Sequence, residues 1–139
     1  MSRIRLLAPV LVALVLALAA GAAYAVAASA VTLNLKGGVG NRMQRACRVR
    51  HHYTLYRRGT RIAFSGTVAA ASGAFTVKVK LKQCVGGRFV TRYALRVGGS
   101  NGSYRGVLRP AGRGFFFVRT YYKVGGATVK SDKQYFRGM

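Results

Sequence analysis

Lys78, Lys80 and Lys82 occupy every second position of Val77-Lys78-Val79-Lys80-Leu81-Lys82. In an extended chain residues two apart share a face, so three ammonium groups would project side by side and offer one kind of chemistry, the holding of anions. Other chemistry is scarce. Acid and base catalysis draws on carboxylates and histidines gathered in a pocket, and this chain has one carboxylate side chain, Asp132, with two adjacent histidines, His51 and His52. A glycosidase-type pair of carboxylates is excluded. A serine triad would need Asp132 to orient His51 or His52, and no Gly-x-Ser-x-Gly elbow supports it. The glycine doublets at Gly37, Gly86, Gly98 and Gly125 lack the Lys-Ser/Thr ending of a phosphate loop. No catalytic set, cofactor or small-molecule substrate is expected.

Cys47 and Cys84 are the two cysteines of the chain. In an exported protein an even count favours a disulfide over two buried thiols, because the compartment is oxidising and a small core benefits from a covalent tie. A zinc site from Cys47, His51, His52 and Cys84 matches no closed structural spacing, and adjacent histidines on a strand point to opposite faces. No metal is expected.

The elements that must position these residues are short strands. The 139 residues leave room for one domain. With 18 glycines, two prolines, eight tyrosines and seven phenylalanines, the composition suits many strands joined by glycine turns. Seven strands are expected: Tyr53 to Arg57, Arg61 to Val68, Phe75 to Lys82, Arg88 to Val97, Tyr104 to Arg109, Phe115 to Val124 and Thr128 to Arg137. Val85-Gly86-Gly87 makes a hairpin of the third and fourth, and matching their apolar parities sets Lys80 or Lys82 near Arg92. In the aromatic strand, Phe116, Val118, Thr120, Tyr122 and Val124 form the core parity; Phe115, Phe117 and Tyr121 face out, where packing under a neighbouring loop is preferred to stacking on bases or sugars. The expected fold class is all-β, a single antiparallel β-sandwich of about seven short strands.

Residues 1–30 carry Arg3 and Arg5, an apolar run from Leu6, and small residues, the layout of a secretory signal helix cut after Ala25 or Ala30. Removal is preferred to an uncleaved anchor, although no charge occurs between Arg5 and Lys36 and that interval is long enough to span a bilayer. The body is then secreted or displayed at the cell surface; retention would leave it membrane-anchored. Residues 31–45 read as a flexible linker or loose first strand, and 46–139 as the sandwich.

Charge is the most unusual quantity. There are 24 Lys and Arg, 17 of them arginine, against one acid, for a formal +23; removing Arg3 and Arg5 leaves 22 − 1, or +21. Lys78, Lys80, Lys82, Arg92, Arg96, Arg105, Arg109, Arg119 and Lys123 all fall on the parity opposite the core, and together form a candidate anion-binding surface. Like charges about 4 Å apart repel by roughly 1 kcal/mol in water. Bound anions would offset that repulsion, and arginine suits phosphate or carboxylate. The expected partners are anionic envelope polymers or lipid headgroups. No nucleic-acid-binding signature accompanies the charge.

The segments Phe64-Ser65-Gly66-Thr67-Val68, Val77-Lys78-Val79-Lys80-Leu81, Gly102-Ser103-Tyr104-Arg105-Gly106, and Gly114-Phe115-Phe116-Phe117-Val118-Arg119-Thr120 followed by Ser131 resemble bacterial immunoglobulin-like or fibronectin-type-III-like modules of exported proteins. The resemblance runs from Cys47 to Arg137 by strand order. It implies an Ig-like sandwich in which the serine begins the last strand, and a structural or interaction role such as adhesion or wall display. The chain departs from that pattern in having no core tryptophan and a short cysteine spacing. The expected function is a secreted, non-catalytic cationic module docking on anionic envelope or extracellular polymers. The alternative is a cationic membrane-active or antimicrobial protein.

Overall fold

The computed structural model describes residues 30–109 and 112–139. The expected signal segment lies outside them except for Ala30, as do Pro110 and Ala111 of the expected turn. The described residues are all-β, in ten strands: β1 Asn34–Leu35, β2 Gly40–Ala46, β3 Val49–Tyr56, β4 Ile62–Thr67, β5 Ala74–Val85, β6 Arg88–Ser100, β7 Ser103–Leu108, β8 Gly114–Val124, β9 Ala127–Lys130 and β10 Gln134–Gly138. Three more strands form than alternation and turns indicate. Two come from residues 31–45, where Val31 and Leu33 are buried and Val31 bridges to Val68. The third arises because the expected final strand is broken.

That break has a local cause. Ser131 is buried, its backbone N–H donates to the Thr120 carbonyl, and its Oγ accepts from the Thr120 N–H at 2.9 Å. A side chain thus takes over a backbone rung, and β9 and β10 pair with different stretches of β8. On its far side β10 pairs with β3 in parallel, Phe136 opposite Thr54 through Gly138 opposite Tyr56. The sheet is therefore mixed, where an antiparallel one was expected.

Hydrogen bonding runs continuously through β1-β4-β7-β6-β5-β8-β10-β3-β2, with β9 attached to β8. β6 pairs with β5 along its whole length but with β7 only through Gly99 and Ser100. The sheet curls about that narrow junction. Phe64, Tyr104 and Leu108 of β4 and β7 join the same core as Val77, Val79, Leu81, Phe116, Val118 and Phe136 of β5, β8 and β10. These are alternate residues of their strands, so the period of two that marks the segments also buries one face of each.

Four hairpins close with two-residue turns whose central residues have positive φ: Cys47-Arg48, Gly86-Gly87, Asn101-Gly102 and Gly125-Gly126. Such turns match the strand twist. Only the first lacks a glycine, and there the disulfide Cys47–Cys84, with Cα atoms 5.8 Å apart, ties the turn to the end of β5.

Burial raises the pKa values of Tyr53, Tyr56 and Tyr104 above the usual 10.0, with the neighbouring Tyr135 adding to the effect on Tyr53. The folded chain then keeps phenol protons that the unfolded chain releases. Stability is expected to be level below about pH 10 and to fall as pH rises through the raised values. Urea midpoints recorded beside phenolate absorbance check this; a midpoint unchanged while these phenols ionise would contradict it.

Candidate functional site

β5 lies between β6 and β8, and its outward lysines meet a different neighbour on each side. Lys78 stands opposite Arg96 and Tyr121, Lys80 opposite Ala94 and Arg119, and Lys82 opposite Thr91 and Phe117. Lys78, Lys80, Arg96 and Lys123 line one open groove of about 300 Å³, with Thr76, Tyr121 and Thr128 supplying hydroxyls. The groove therefore presents four cationic side chains beside three hydrogen-bonding groups. Charge and hydrogen-bonding groups of this kind suit the holding of anions.

Aromatic rings lie beneath one of these cations, Lys80, and beneath three lysines near the groove. Lys80 Nζ lies 4.7 Å from the Tyr121 ring centre, and Lys130 Nζ lies 5.9 Å from it. Farther along β8, Lys133 and Lys82 stand 4.9 and 5.7 Å from the Phe117 ring centre. Contacts of this kind are worth about 0.5–1 kcal/mol when exposed. Phe117 is itself buried, packed against Phe89 of β6 and Tyr135 of β10. Strand neighbours cover it, where a loop was expected, and it has no open face for a base or sugar.

Of the nine sequence-derived cations, Lys78, Lys80, Arg96 and Lys123 share the groove. Lys82 and Arg119 belong to the same outward parity, although the Arg119 guanidinium is engaged, donating from Nε to the Ser131 carbonyl at 2.7 Å. Arg92 does not join them. The β5–β6 register shifts between Leu81 and Lys82, so Lys80 faces Ala94, Lys82 faces Thr91, and Arg92 instead donates to the Gln83 side chain. A β-bulge has turned its side chain away, and the expected repulsion with Lys80 or Lys82 does not arise. Arg105 sits elsewhere, opposite Ser65 in a hollow lined by Thr32, Asn34 and Thr67. Arg109 follows β7, where its N–H donates to the Tyr93 hydroxyl.

Sequence reading missed Lys130 and Lys133, which flank the broken strand. It also missed Arg42, Arg113 and Arg137, which line a second cleft with Phe115. These arginines come from three separate segments, so no spacing within the chain marks them. Of the residues weighed for catalysis and set aside, His51 stacks on Tyr135 at 3.8 Å between ring centres, while His52 and Asp132 are exposed. Among the described residues, no group of three His, Cys, Asp or Glu side chains is placed to hold a metal. The chain matches no protein-family model and no curated protein sequence.

Proposed function

We propose that the chain is an exported, non-catalytic module of Ig-like layout that docks on anionic envelope or extracellular polymers through the groove of Lys78, Lys80, Arg96 and Lys123. The observation that carries this reading is the convergence of four cations from three adjacent strands on one groove, in a chain with a single acidic side chain. Repulsion among them is tolerated if an anion offsets it. The Ig-like reading draws support from strand order. β1-β4-β7 run together, β5-β8-β10 run together, and β3 adds in parallel beside β10, an arrangement compatible with two packed sheets joined through β6.

Retention on an acidic resin tests the docking. The variant Lys78→Gln, Lys80→Gln, Lys123→Gln is expected to bind about 100-fold more weakly at low salt, at about 1 kcal/mol for each cation near an anionic surface. Arg105→Gln with Arg109→Gln, remote from the groove, is expected to change binding far less. Equal losses per charge removed would reduce the groove to part of a uniform charge cloud.

A second reading, docking on an anionic membrane, rests on the disulfide-tied hairpin ends. Val49 and Val85, 41% and 45% exposed, stand beside Cys47-Arg48 and Cys84 and could enter a headgroup layer next to Arg48 and Arg88. Leakage of anionic vesicles, lost on Val49→Ser with Val85→Ser, would favour it; adsorption without leakage would favour polymer docking.

A further inference from the structure

The second cleft lies away from the lysine groove. It is lined by Arg42 of β2, Arg113 just before β8 and Arg137 of β10, with Phe115 and Met139 providing apolar surface. Arg137 is the most restrained of the three: its Nη1 donates to the Gln44 side chain at 3.1 Å and its guanidinium carbon lies 5.1 Å from the Phe115 ring centre. Arg42 and Arg113 are exposed. The supporting ring is firmly set, since Phe115 packs edge-on against buried Tyr53 at 5.0 Å between centres.

We infer that this cleft is a binding site for a phosphate group. A carboxylate has two oxygens and one charge, and a single guanidinium satisfies it with two parallel hydrogen bonds. Three guanidiniums from three segments exceed that need and suit a tetrahedral group whose oxygens do not share one plane, with up to two charges on the free ion and one on a phosphodiester. Arginine forks fit phosphate geometry better than ammonium groups do, and this cleft is lined by arginine where the other is lined mainly by lysine. Phe115 and Met139 offer contact for the ester carbons adjoining the phosphate. The site does not depend on the polymer docking proposed above. Its phosphate can come from the free ion or from a phosphodiester polymer.

The test is calorimetric titration of the full chain with inorganic phosphate, with acetate at matched ionic strength, and with a synthetic poly(glycerol phosphate). Phosphate is expected to bind at least tenfold more tightly than acetate. Arg42→Gln and Arg113→Gln should each weaken phosphate about tenfold, because each removes charge-assisted hydrogen bonds. Arg113→Lys should also weaken it, since charge is kept and the fork is lost. Arg42 and Arg113 are exposed, so unchanged melting temperatures separate lost binding from lost fold. Tighter binding of the polymer than of the free ion would assign the phosphate to a polymer, and the reverse would assign it to the free ion. Three outcomes would overturn the inference: equal binding of acetate, full binding by Arg113→Lys, or an equal loss from Lys123→Gln. A groove variant that binds phosphate normally yet loses the acidic resin would leave both readings standing. A groove variant that keeps the resin would count against the groove alone, and an unmodified chain that binds phosphate no better than acetate would count against the cleft alone.

Discussion

Replacing Cys47 and Cys84 together with alanine should lower the unfolding free energy by about 3 to 4 kcal/mol. The bond closes a loop with a sequence separation of 37, and the chain-entropy relation for a loop of that length predicts a penalty of this size. Two local features set the structural consequence. The cross-link holds the one hairpin turn that has no glycine, with Cys47 and Arg48 at φ of 50° and 64°, a region where ordinary side chains are strained. It also fastens that turn to the end of β5, beyond the register shift. Without the bond the β2–β3 hairpin end should fray first, so amide exchange should quicken around Val49 and Arg50 before it does in β5 or β8. Urea denaturation of the oxidised and alanine forms checks the magnitude. A change below about 1 kcal/mol would mean that the unfolded chain is already compact around the same residues.

Gly66→Ala should cost about 3 to 5 kcal/mol, for reasons of space. Gly66 lies in β4 opposite Tyr104 of β7. A Cβ there would fall inside the van der Waals envelopes of the Thr32 carbonyl oxygen and the Tyr104 hydroxyl. Those two atoms are hydrogen-bonded to each other, and the same hydroxyl shares a 2.8 Å bond with the Thr120 hydroxyl of β8. One methyl group would therefore separate the segment before β1 from β7 and disturb a buried link to β8. Overpacking alone costs about 1–3 kcal/mol, and leaving buried polar partners unmatched adds about 1–3 kcal/mol. Tyr104→Phe, which removes the hydroxyl without adding bulk, should lose only the second part. Thermal melts of both variants test the division; a Gly66→Ala loss no larger than that of Tyr104→Phe would show that the strand yields to admit the methyl.

Much of the inner face was legible because an extended chain repeats every two residues. Val77, Val79 and Leu81, and Phe116, Val118 and Thr120, are buried where alternation put them, and glycine marked three of the four tight turns. The turn at Cys47-Arg48 was not legible, because it is tied by a covalent bond and contains no turn-forming residue type. Nor was the bulge that carries Arg92 away from Lys82, since one extra residue in a pair leaves no trace in either strand's own pattern. The parallel pairing of β10 with β3 joins residues far apart in the chain, and local patterns carry no such information. The same reason kept the arginine cleft hidden: each arginine is an ordinary outward side chain until the fold brings the three together. Phe117 misled in the other direction. Its parity placed it outside, and it is outside the main core, yet Phe89 and Tyr135 bury it on the second face.

The parallel contact between β10 and β3 also sets a timetable for assembly. The β2–β3 hairpin can close within about 1–10 μs once its residues are free. Its covering strand is not made until much later, because Thr54 and its partner Phe136 are 82 positions apart, and at about 5–20 residues per second a ribosome needs roughly 4 to 16 seconds to cover that distance. For all of that wait the ring of Tyr53, fully enclosed in the finished molecule, lacks the cover of Tyr135. Whatever shields it in the meantime must release it when the last five-residue strand arrives.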